Sequence, residues 1–135
     1  MTRHLCVYAA TLVALLAIDA VWLALTAAPL YRTALGDLLL PSFRPLPALA
    51  FYLLYVAGIL IFVGPRGRGA RGTALFGALF GLVCYGTYDL TNQATLLVWP
   101  LTLTLADMAW GAALTAAAST LGRLAGERLA RRFGR

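Results

Sequence analysis

The chain contains no lysine, one histidine and two cysteines in 135 residues, and only 12% of it is charged. Each scarcity removes a class of explanation. Two cysteines do not make a disulfide scaffold. A lone His4 leaves no ligand set for zinc or haem, and no serine lies beside it for a hydrolase triad. No glycine-rich phosphate loop follows a strand pattern. With so few charges, 61% hydrophobic residues and a mean hydropathy of +0.82, the chain has more apolar surface than a soluble core of this size can hide. A secreted domain, a nucleic-acid reader and a disordered chain all fit this composition poorly. The net charge of +6, from eleven arginines against five acidic residues, needs another explanation.

Topology supplies one. Four apolar runs, at residues 5–28, 47–63, 73–90 and 100–121, approach the roughly 20 residues that cross a bilayer. They predict an all-α membrane protein, with residues 1–135 forming a single four-helix transmembrane bundle. The first run is long for a signal peptide and carries Asp19, which favours a retained helix. Nine arginines (3, 66, 68, 71, 123, 128, 131, 132 and 135) fall on one side of this arrangement, and Arg32 and Arg44 on the other. Both termini are therefore expected in the cytoplasm of a bacterial inner membrane. So strong an imbalance argues against dual-topology multidrug transporters of similar size.

The connections differ in kind. Residues 64–69, Gly-Pro-Arg-Gly-Arg-Gly, read as a short turn, and 29–46 as an interfacial loop rather than a lid. Trp99 before Pro100 predicts an interface anchor and the start of the fourth helix. The tail from Gly122 reads as a basic helix near anionic headgroups, with Glu127 placed to pair with Arg131. Gly77 and Gly81 form one small-residue stripe, and Ala109, Ala113 and Ala117 another; both are expected to pack within the bundle.

The informative residues are three carboxylates inside apolar runs: Asp19, Asp89 and Asp107. Counting from the cytoplasmic ends at 1.5 Å per residue, they lie roughly 21, 24 and 24 Å up, in one layer. Aromatic residues join that layer at i, i+3 spacing: Asp19 with Trp22, Tyr52 with Tyr55, Tyr85 with Tyr88, and Asp107 with Trp110. Asn92 follows Tyr88 by one turn. Tyrosines and tryptophans also gather at membrane interfaces, and Asp89 with Asn92 can serve the end of the third helix. A structural network of Asp, Tyr and Trp satisfies the carboxylates as well as a functional site does. The oxygen donors show no metal-ligand spacing, and neither metal nor cofactor is expected.

The strings IDAVWL at 18–23, PLYR at 29–32, PALAFYLLYVAG at 47–58, YGTYDLTNQATL at 85–96, WPLT at 99–102 and DMAWG at 107–111 resemble the bacterial membrane proteins of domain-of-unknown-function family 2177. The resemblance covers most of the chain. It implies four spans and an unassigned biochemical role, and it tilts the expected ligand toward lipids. The leading expectation is a protein that binds a lipid or small apolar molecule through Asp19, Trp22, Tyr52, Tyr55, Tyr85, Tyr88, Asp89, Asn92, Asp107 and Trp110. Two alternatives stay open. One is an enzyme acting on that molecule by carboxylate and tyrosine acid–base chemistry. The other is an accessory subunit, or a homo-oligomer, packing through its small-residue stripes.

Overall fold

A computed structural model describes residues 2–133; Met1, Gly134 and Arg135, the last arginine of the basic tail, lie outside the described residues. All described elements are helical: α1 (Thr2–Trp22), α2 (Ala28–Leu35), α3 (Pro45–Gly58), α4 (Gly69–Thr95) and α5 (Leu101–Phe133). Four continuous helical stretches, Thr2–Leu38, Pro45–Val63, Gly69–Thr95 and Leu101–Phe133, are long and apolar enough to cross a membrane. The start of α1 and the last part of α5 meet at one end of the bundle, where Arg3 and Glu127 form an ion pair 2.7 Å apart.

The packing is that of a protein dissolved in lipid. Leu25, Phe43, Leu54, Ile61, Leu75 and Leu105 are exposed, whereas Thr11, Thr73, Thr104, Thr115 and Ser119 are buried. Small and polar side chains sit inside because lipid tails give apolar side chains no reason to leave the surface. The tightest seam joins α4 to α5. A Cβ on Gly81 would collide with the Gly111 carbonyl and the Thr115 hydroxyl, and one on Gly77 with Ser119. The Gly77 and Gly81 stripe therefore packs within the chain, as expected. The alanine stripe does not: Ala109 and Ala113 are exposed, and α5 is buried along Gly111, Leu114, Thr115, Ala118 and Gly122. Gly122 meets Thr11 and Gly126 meets Val7, which brings α1 onto the same helix.

Two π-helical stretches interrupt the regular winding, Leu23–Ala27 between α1 and α2, and Ile59–Val63 after α3. The first has a local cause. Pro29 has no N–H to offer the Leu25 carbonyl and its ring crowds that turn, so the helix widens and the Ala28 N–H bonds to Leu23, five residues back. A straight α-helix would carry Tyr31 about 18 Å past Asp19 at 1.5 Å per residue. The Tyr31 hydroxyl nevertheless reaches Asp107, one turn from the Trp110 that holds Asp19. The segment expected as a plain interfacial loop is thus mostly helix as far as Leu38, and it covers the end of the bundle. It ends at Gly36, whose φ of 51° suits glycine.

The other boundaries also shift. The third helix begins at Gly69, with a φ of 65°, and runs to Thr95, so Asp89 lies inside the helix rather than at its end. The end is closed by the Asn92 carbonyl, which accepts the Leu96 N–H at 2.8 Å. The fourth helix starts next to Pro100, as the sequence predicts, and continues unbroken past the apolar stretch that ends at Leu121. Beyond that stretch, Glu127 does not pair with Arg131. It accepts from Arg3 at 2.7 Å and from Arg123 at 3.3 Å. Arg123 in turn donates to the Gly67 carbonyl and to the Thr73 hydroxyl, clasping the 64–68 turn to both terminal helices. Cys6 and Cys84 are both free thiols.

Candidate functional site

At the end of the bundle away from the Arg3–Glu127 ion pair, the helices line an open cleft of about 820 Å³. Every helix contributes. Asp19 and Trp22 come from α1, Tyr31 and Arg32 from α2, Phe51 and Tyr52 from α3, Tyr85 from α4, and Asp107 and Trp110 from α5. Leu38, Leu39, Leu40 and Phe43 close it on the α2–α3 side. A smaller space of about 390 Å³ adjoins it through Tyr31, Phe51, Tyr85 and Asp107, and adds Tyr55, Cys84 and Tyr88 to the lining.

Asp19 is 5% exposed and both of its oxygens are engaged. The Tyr52 hydroxyl donates to Oδ2 at 2.6 Å and the Trp110 indole N–H to Oδ1 at 3.1 Å. Trp22, one turn beyond Asp19, stacks on Trp110 with ring centroids 4.5 Å apart and 6° between planes. That contact fixes the indole whose N–H holds the carboxylate. Asp107 accepts the Tyr31 hydroxyl on Oδ2. Tyr31 stands edge-on to Trp99, and Trp99 edge-on to Tyr88, so the aromatic chain continues across the top of α4. Tyr55 does not reach a carboxylate. Thr115 spends its only hydroxyl proton on the Gly111 carbonyl at 2.6 Å, so Tyr55 donates to Thr115 at 2.7 Å.

Asp89 is different. It is fully buried, does not line the main cavity, and neither of its oxygens completes a hydrogen bond, although the Trp99 indole N–H stands beside it. The Trp99 indole N–H and the Thr104 hydroxyl are also buried without partners. Asp107 is near enough for the two carboxylates to repel one another. Asn92 lies outside the cavity wall and serves through its backbone. The structure thus brings eight of the ten expected residues to the two adjoining spaces and leaves Asp89 and Asn92 out of their walls. Sequence reasoning missed Tyr31, Arg32 and Phe51. The PLYR string marked the first two, but nothing in its spacing shows that α2 turns inward.

Chemically, the site pairs carboxylate acceptors with phenol and indole donors inside an apolar wall. Among the described residues no group of three or more His, Cys, Asp or Glu is arranged to hold a metal ion. The layout suits the fixing of a polar group on a largely apolar molecule.

A family model described as "Predicted membrane protein (DUF2177)" matches residues 4–124. The chain matches no curated protein and no solved structure. It belongs to that membrane protein family.

Proposed function

We propose that this DUF2177 member is a small bacterial inner-membrane protein that binds a lipid or another small apolar molecule in the cavity beneath α2. The observation that carries the reading is the wall itself: an open, largely apolar cleft of about 820 Å³ into which two buried carboxylates, Asp19 and Asp107, bring hydrogen-bonded polar groups. A structural network alone would need no cleft beside it. The arginine count supports a topology with both termini in the cytoplasm, in which the cleft would lie in the outer half of the bilayer. A reporter fused at residue 135 that works only in the periplasm would overturn that orientation.

Lipid retention tests the binding itself. The protein is purified in mild detergent and its co-purifying molecules are identified by mass spectrometry, beside Asp19→Asn and Asp107→Asn. Asn at either position keeps size and hydrogen bonding but removes the charge. Both variants are expected to fold and to carry less of the parent's complement. Folded variants with an unchanged complement would remove the aspartates from the site. Constant association with larger subunits would favour an accessory role instead.

A further inference from the structure

The buried carboxylates at the cavity end have no basic partner. Among the described residues the ion pairs are Arg3–Glu127 and Arg123–Glu127, both at the opposite end of the bundle. Asp19, Asp89 and Asp107, all at most 5% exposed, have none. Burying a carboxylate without an opposite charge is costly, so a cavity built this way is electrostatically complementary to a cation. The aromatic residues point the same way. Trp22, Trp110, Tyr31, Tyr52 and Tyr85 line the same space as Asp19 and Asp107, and ring faces beside carboxylates are the means by which proteins hold ammonium groups. The single basic residue on the wall is Arg32, exposed on α2 and unpaired with either aspartate. The rest of the wall is apolar.

A ligand matching this pattern carries a positive group, a nearby negative group and a hydrocarbon body. We propose that the cleft binds an aminophospholipid, with its ammonium held by Asp19 and Asp107 among the aromatic rings, its phosphate at Arg32, and its acyl chains leaving past the exposed Leu23 and Phe51 into the bilayer. The unpaired Asp89 behind the wall adds to the negative potential that the ammonium meets. This inference rests on the lipid-binding reading above and names the headgroup.

The test separates the two. Protein stripped of co-purified lipid is offered phosphatidylethanolamine and phosphatidylglycerol with identical acyl chains, and bound lipid is counted by native mass spectrometry. The two lipids share the phosphate and differ in the ammonium. The parent is expected to prefer phosphatidylethanolamine about tenfold, the scale of one desolvated cation–π and carboxylate contact. Asp19→Asn with Asp107→Asn should bring the ratio close to one. Arg32→Gln should weaken both lipids and leave the ratio in place. Equal binding of both lipids by the parent, or preference for phosphatidylglycerol, would overturn the headgroup assignment while leaving lipid binding standing. Binding of neither lipid would overturn both. The parent's ratio is informative even if a variant fails to fold.

Discussion

Replacing Asp89 by Asn should make the protein more stable, against the usual direction for a buried polar residue. Asp89 is completely enclosed, neither of its oxygens completes a hydrogen bond although the Trp99 indole stands beside it, and the Asp107 carboxylate repels it. An unpaired buried polar group costs about 1–3 kcal/mol, and more when it carries charge. Asn keeps the shape and an acceptor oxygen for the Trp99 indole, and it removes the charge and with it the repulsion. Most single substitutions destabilise, so a gain of about 1–3 kcal/mol would be diagnostic. Reversible unfolding in mixed micelles, titrated with denaturing detergent and followed by tryptophan fluorescence, measures it directly. The midpoint should move to a higher denaturant fraction with an unchanged slope. A loss of about 1 kcal/mol or more would refute the reasoning, because it would mean that both carboxylate oxygens have partners in the working protein.

Tyr31→Phe removes the hydroxyl that ties α2 to Asp107; the expected loss is about 0.6–1.7 kcal/mol, with faster hydrogen exchange confined to residues 28–38. Gly81→Val drives a side chain into the Gly111 carbonyl and the Thr115 hydroxyl and should cost about 3 kcal/mol or more, seen as lost folded yield by size-exclusion chromatography. Gly36→Ala meets no atom within 4 Å and bears only the strain of its φ of 51° and ψ of −122°, outside the left-handed helical region, about 1–3 kcal/mol by unfolding midpoint. Beyond the apolar stretch of α5, hydrogen bonding from Arg3 holds the Glu127 carboxyl below its ordinary value. The clasp's contribution is therefore full above the unfolded value of about 4.3 and is lost as pH falls through the lower folded one. Glu127→Gln should abolish that acid dependence, which unfolding midpoints between pH 3 and 7 would show.

How much of this was legible in the sequence depended on the distance over which the rules act. The rise of an α-helix is enough to bring Asp19, Asp89 and Asp107 to one layer, because each sits in an uninterrupted run. It fails at Tyr31, whose place beside Asp107 depends on the π-helical widening ahead of Pro29. Periodicity identified the alanine stripe of the last helix but not the direction it faces. In a membrane helix both faces are apolar, so a hydrophobic pattern cannot orient it, and the buried face had to be found from glycine, threonine and serine. The pairing of Glu127 escaped for a related reason. The i, i+4 rule offered Arg131 on one side and Arg123 on the other, and the choice was made by Arg3, 124 residues away.

The partners of Asp19 also set the order in which the protein can be built. Tyr52 lies 33 residues downstream and Trp110 lies 91 residues downstream, so the first helix enters the membrane before either donor has been synthesised. During that interval the carboxylate is alone in hydrocarbon, at a cost of about 2.5–3.5 kcal/mol on insertion scales. The surrounding helix bears that cost by itself, whereas Asp89 and Asp107 belong to α4 and α5, which are made after it. Those later helices insert beside partners already present and can carry more polar and small residues. Asp19 is thus carried first by the apolar helix around it and only later by the Tyr52 and Trp110 donors of the finished bundle.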